Sequence, residues 1–182
     1  IQQAKVRMTD EKNQRVKGKL QQSKSKLDNL LHVTKAINDN SSEEELLSIL
    51  KSSLTNNLNI AKLALFTFDS GKWKVAISDG IDISCCNKID ITKLVQTFQD
   101  IGTINHNNSN EALQNFEVAI PVFHKERPLA FMLLADVDEE KMEISPIIRH
   151  LRFIQTLINI IVVALENKRL YKQEIKQAAI NK

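Results

Sequence analysis

Leu63-Ala64-Leu65-Phe66-Thr67-Phe68, then Asp69-Ser70-Gly71-Lys72, then Trp73, Val75 and Ile77 alternating with Lys74, Ala76 and Ser78, is the stretch that decides the fold. An apolar run, a turn sequence containing glycine and a two-residue alternation are the marks of a β-hairpin. Successive side chains of a strand point to opposite faces, so a strand apolar at every position is buried on both and belongs inside a sheet. The second strand keeps a polar face and belongs nearer an edge.

The pattern recurs downstream. Residues 116–123 form one strand, His124-Lys125-Glu126-Arg127-Pro128 the turn, and residues 129–135 the returning strand. Pro121 has no N–H to offer a neighbour, so it is expected at a bulge or where its donor would face away from a partner. Between the hairpins, residues 80–115 are polar and irregular, with a short helix expected over 92–98 and a short strand over 102–105. His106-Asn107-Asn108-Ser109-Asn110 reads as a loop.

Helices flank this β-rich centre. Up to Asn38 the chain is dense in Lys, Gln and Asn and has no proline. A heptad register puts Val6, Asn13, Leu20, Leu27 and Thr34 at one seam position and Thr9, Val16, Ser23, Leu30 and Ile37 at the other. A long helix with one apolar stripe needs a partner to bury it. Ser42 and Glu45 have capping-box spacing ahead of Leu46, Leu47, Ile49, Leu50, Leu54 and Leu58, an amphipathic helix. After the acidic loop 136–140, Ser145-Pro146 is a helix start, and no proline or glycine follows. That last helix is apolar nearly all round through Ile147, Ile148, Leu151, Ile154, Leu157, Ile158, Ile161 and Leu165, which requires burial on two sides. Beyond Glu166 a narrow seam continues through Lys168, Tyr171, Ile175 and Ala178. The expected organisation is a signalling helix over 1–38, an α+β domain over 39–165 and a connector helix over 166–182.

Composition narrows the function classes. With 42% hydrophobic and 26% charged residues the chain is an ordinary globular protein. Its net charge of +3 is spread among acidic residues, so no nucleic acid partner is expected. The most apolar run, 153–165, is too short to span a bilayer and contains Gln155, Thr156 and Asn159, so no membrane contact by this segment is expected. The sequence opens on Ile1 without an initiator methionine, which is read as a piece of a longer protein. Its two cysteines, Cys85 and Cys86, are adjacent and poorly placed to bridge, which fits a reducing, cytoplasmic setting.

The order of long helix, capped helix, hairpin, irregular segment, hairpin and long helix resembles a GAF domain, over roughly residues 30–165. Phe116-Glu117-Val118-Ala119-Ile120-Pro121-Val122 is similar to the family's strand that ends in a proline-leucine type pair. Pro128-Leu129-Ala130-Phe131-Met132-Leu133-Leu134 is similar to the next strand, with Ala130 where the family usually has glycine. The resemblance implies a mixed or antiparallel sheet of five or six strands. The run Phe153 onward to Leu170 resembles the helix joining GAF domains to PP2C-type serine phosphatases of a bacterial (Bacteroidetes-like) sporulation and stress-regulator class. A histidine kinase or a diguanylate cyclase could hang from a similar connector.

Catalytic signatures are missing: no glycine-rich phosphate loop, no nucleophile elbow and no histidine-acidic metal run. Asn87-Lys88-Ile89-Asp90 lacks the aromatic residue of the asparagine-lysine-phenylalanine-aspartate signature of cyclic-nucleotide-binding relatives. Neither cysteine is followed by the histidine of bilin-binding relatives, and a sulfoxide-reductase cysteine trio is absent. His32, His106, His124 and His150 are dispersed and do not make a metal set. No cofactor is expected. Phe66, Phe68, Ile77, Phe98, Phe116 and Phe131 are the candidates to line a small-molecule pocket, and core packing explains them equally well.

The expected function is therefore a non-enzymatic regulatory sensor and dimerisation module feeding an output domain, with a PP2C-type phosphatase as first choice. The alternative is a constitutive scaffold. The expected homodimer uses Leu20, Leu27, Leu30, Ile37, Ile154, Leu157, Ile161, Tyr171 and Ile175 as its seam, in a parallel arrangement.

Overall fold

The turn Ser70-Gly71 closes the first hairpin with two residues, both at positive φ (54° and 81°), between paired Asp69 and Lys72. That geometry matches the right-handed twist of the strands it joins. The computed structural model describes residues 2–105, 110–135 and 146–180, without the side chains of residues 2, 22 and 146–150. Residues 106–109 of the expected loop 106–110, the expected loop 136–140 and Ser145 lie outside the described residues.

Five strands form one sheet in the order β2-β1-β5-β4-β3, every pair antiparallel. They are β1 (Lys62–Asp69), β2 (Lys72–Asp79), β3 (Gly102–Thr103), β4 (Val118–His124) and β5 (Arg127–Ala135). β1 lies inside the sheet, between β2 and β5, as its unbroken apolar run requires. The second hairpin is tighter than its sequence suggests. His124 pairs with Arg127 across Lys125 and Glu126, Lys125 takes φ 58°, and Pro128 lies within β5. A register shift between Val122 and Phe123 adjoins Pro121, and β3 pairs only with Val118 and Ala119, so it stops short of that proline.

Helices cover both faces. α2 (Glu43–Ser52) starts at Ser42, whose hydroxyl accepts the Glu45 N–H at 3.2 Å, and Glu43, Glu44 and Glu45 occupy its positive first turn. It runs on into a π-helical turn, Ser53–Asn57. α2 packs on α5 (Pro146–Ile180), and α5 packs on β4 and β5. On the opposite face, α3 (Ile83–Cys86), α4 (Ile91–Thr97) and a 3-10 turn (Leu113–Asn115) are drawn over Ala64, Phe66, Ala119, Phe131 and Leu133. Cys86, Ile89, Ile91, Leu94, Ile104 and Leu113 supply that second core layer from the otherwise polar middle segment.

α1 (Gln2–Asn38) is a continuous helix and, with the chain to Asn40, makes one of two compact units; Ser41 onward makes the other. Val6, Val16, Leu20 and Leu27 of α1 are exposed, Leu30 and Ile37 half-buried, and Val33 and Ala36 buried.

One seam assignment is corrected. Ile154, Leu157 and Ile161 have no exposed surface, because the apolar first half of α5 is consumed by the sheet and α2. They are not available to a second copy. Tyr171 and Ile175 are 65% and 53% exposed.

Two glycines make opposite predictions. Gly80 sits at φ 71°, and a Cβ there would be driven into the carbonyl oxygen of Ala61. Gly80→Ala should cost about 2 kcal/mol or more. Gly18, mid-helix in α1 with open space around it, gains helix propensity on substitution, so Gly18→Ala should stabilise that helix by roughly 1 kcal/mol. Urea denaturation of the two variants checks both signs.

Candidate functional site

A cleft of about 710 Å³ opens between the end of the first hairpin and α4. Phe68, Gly71, Lys72 and Trp73 form the hairpin side. Ile89, Asp90, Ile91, Thr92, Val95 and Gln96 form the helix side, and Pro128 of β5 closes one end. Its volume is that of a small-molecule pocket, and its walls are mostly apolar with a few polar groups, the usual composition of such sites. Phe68 and Trp73 face each other across the hairpin, ring centroids 5.1 Å apart and planes at 53°. Such a tilted pair contributes roughly 0.5–1.5 kcal/mol beyond its buried area and holds the indole in place. α4 is set by Asp90, which caps it by accepting the Lys93 N–H at 3.4 Å. On α4 Leu94 belongs to the core, Ile91 and Val95 touch both the core and the cleft, and Thr92 and Gln96 reach the cleft.

Beside the cleft is a charged cluster. Glu166 of α5 takes a bidentate pair from Arg169, Nε to Oε2 at 2.9 Å and Nη2 to Oε1 at 2.7 Å. Arg127, the first residue of β5, donates to the same Oε1 at 3.0 Å. Arg169 also lies 3.8 Å from Asp69, the last residue of β1, which pairs with Lys74 at 3.4 Å. The Arg169 hydrogen bond holds the Glu166 carboxyl below the usual glutamate range, and Glu166 raises Arg169 in return. Asp69 is lowered chiefly by its hydrogen bond from Lys74.

No family model matches the chain. No curated protein matches it either. Solved structures do. The GAF domain of a GAF/HD domain protein from Geobacter sulfurreducens aligns over 71% of this chain and 95% of its own, with TM-score 0.55 and 16% identity. A GAF domain from an Acinetobacter phosphoenolpyruvate-protein phosphotransferase covers 79% and 94%, with TM-score 0.57 and 13% identity. The GAF domain of a two-component sensor histidine kinase from Bacillus halodurans covers 72% and 98%, with TM-score 0.50 and 14% identity. The chain has the GAF fold.

In this GAF fold the six pocket candidates separate. Only Phe68 lines the cleft. Phe66, Phe116 and Phe131 are buried core residues, and Phe98 packs on Phe131 with centroids 6.2 Å apart. Ile77 is displaced by a bulge. β2 takes two steps, Val75 to Ile77, while β1 takes one, Phe66 to Leu65, so Ile77 stands opposite Leu65 and outside the Phe66 cluster. A bulge of that kind breaks the alternation on which its assignment rested. Trp73 and the α4 residues were missed as lining; their signal was the amphipathic spacing of Ile91, Leu94 and Val95 behind a capping aspartate.

Among the described residues no His, Cys, Asp and Glu cluster could hold a metal. His32 and His124 are exposed, and the His106 and His150 side chains lie outside the described ones. Cys85 is half-buried and Cys86 buried, and burial pushes the Cys86 thiol up. No helix among the described residues is long and apolar enough to cross a membrane.

The charged cluster gives a pH prediction. Glu166 titrates below 4.5 in the folded protein and near it when unfolded, so its contribution is present above pH 4.5 and is lost as pH falls through its folded value. Wild type should exceed Glu166→Gln in thermal midpoint at pH 7, and the gap should close on acidification below pH 4.5. Melting curves of both proteins from pH 7 to pH 3 check the sign.

Proposed function

We propose that this chain is a regulatory sensor module with no catalytic centre of its own, which relays occupancy of the cleft at Phe68 and Trp73 through α5 to an output domain. The observation that carries this reading is the cleft itself, an apolar-walled space of ligand size built on an aromatic pair at a hairpin end. That a similar fold occurs in a two-component sensor histidine kinase supports it. For a ligand to signal, it must bind two arrangements of the domain with different affinity. The resemblance of residues 153–170 to phosphatase-linked connectors supports a PP2C-type serine phosphatase as output, in a cytoplasmic bacterial protein organised as signalling helix, sensor domain and connector. A histidine kinase or diguanylate cyclase output is the alternative.

The second reading, a constitutive scaffold, is favoured by the filling of the interior with Phe66, Phe116 and Phe131. Native mass spectrometry of the purified chain separates the two. A retained small molecule, lost in a Thr92→Trp variant that fills the cleft, is expected of the sensor; an empty domain in repeated preparations, with or without the substitution, speaks for the scaffold.

Both readings include a parallel homodimer through the terminal helices. With Ile154, Leu157 and Ile161 committed to the core, its seam reduces to Leu20, Leu27 and the half-buried Leu30 and Ile37 on α1, and Tyr171 and Ile175 on α5. Leu20→Glu lies in a helix segment outside the domain core and should shift the chain from dimer to monomer at micromolar concentration. Light scattering reads this directly, and a monomeric wild type would sink the dimer.

A further inference from the structure

We infer that Glu166, Arg169, Arg127 and Asp69 form a latch that couples the cleft to the outgoing part of α5; this rests on the reading of the cleft as the sensing site. The cluster joins three elements that are distant in sequence. Asp69 ends β1, Arg127 begins β5, and both are bridged by a pair of residues on α5. The chain neighbours of the two strand residues, Phe68 and Pro128, line the cleft. Adjacent Cα atoms are held about 3.8 Å apart, and adjacent strand side chains point to opposite faces. Each hairpin end thus carries one residue in the cleft and the next in the latch. A molecule wedged between Phe68 or Trp73 and Pro128 changes the spacing of Asp69 and Arg127, which is the spacing Glu166 and Arg169 span.

The alternative for such a cluster is a static surface ion pair, many of which contribute nothing measurable. Three features set this one apart. The Arg169–Glu166 contact is bidentate, the Glu166 side chain is only 14% exposed, and one carboxylate oxygen is shared by arginines from different elements. The latch also sits where α5 leaves the core: Val162 is buried, whereas residues 170–180 are exposed without interruption. A tilt set at Glu166 is carried outward by a helix that rises about 1.5 Å per residue.

Coupling between two sites is reciprocal, so opening the latch must alter the cleft with nothing bound. Trp73 is the only tryptophan and lines the cleft, which makes its fluorescence a native reporter. The experiment compares the full chain with Arg169→Gln, the milder Arg169→Lys and, as control on the same helix, Lys172→Gln, which removes a contact from α5 to Glu43 of α2. Acrylamide quenching of Trp73 and amide exchange across residues 165–172 are measured on each. Both latch variants should raise the quenching constant and the exchange rate by about two- to fivefold, the fold-change to which the upper half of measured surface ion-pair strengths corresponds, and the control should leave Trp73 unchanged. Faster exchange with unaltered Trp73 quenching, or no change in either, overturns the latch. Failure of the two readings is distinguishable. A chain that retains no small molecule but moves Trp73 in Arg169→Gln keeps the coupling and loses the ligand; a retained ligand with an unmoved Trp73 does the reverse.

Discussion

The inner strands of this sheet are apolar on both faces, and everything else follows from the need to cover both. From Leu129 through Ala135, β5 has no exposed residue, and β1 from Leu63 to Phe66 is the same. Burying one such Leu or Phe side chain contributes about 1.5–3 kcal/mol, so leaving either face wet would cost more than a small domain's net stability. α2 and α5 cover one side, which is why the first half of α5 is apolar nearly all round. The polar middle segment covers the other with a sparse set of large residues, Ile89, Ile91, Leu94 and Leu113 among them.

How much of this was legible in the sequence depends on how local the signal is. The two hairpins, the Ser42 cap and the extent of the long helices follow from two- and near-four-residue periodicities and from turn chemistry, all contained within short windows. The strand order β2-β1-β5-β4-β3 is not local. The resemblance of residues 116–122 and 128–134 to a known family implied a sheet of five or six strands but not their order, which the structure supplies. The middle segment was the hardest to read, because its helices are only four and seven residues long and hold their place through tertiary packing rather than propensity.

The site was harder still, for a physical reason. A phenylalanine on a strand reads the same whether its ring fills a core or lines a cleft; the difference is made by what is packed opposite. Phe66 and Phe131 meet α4 and Phe98, so their space is taken. Phe68, one pleat further along β1, passes beyond that cover and opens onto the cleft. Ile77 was lost to a single extra residue in β2, which no periodicity announces. Of the ion cluster only the Glu166–Arg169 pair, three residues apart on one helix, is local; Arg127 and Glu166 come together only when the second hairpin and α5 are both in place.

The pairing of β1 with β5 also has a consequence for how the chain comes into being. Lys62 lies opposite Ala135 and Thr67 opposite Ala130, so the inner edge of the first hairpin has no partner until the second has been synthesised. From Asp79, where that hairpin is complete, to Ala135, ribosomal rates of about 5–20 residues per second leave the edge waiting roughly 3 to 11 s. Throughout that interval Leu63, Leu65 and Phe66 stand on a strand with half its backbone unpaired, the situation in which strands add to other chains. The first hairpin, closed by its own two-residue turn, is thus formed early and completed late, and the nascent protein is most open to mispairing before β5 emerges.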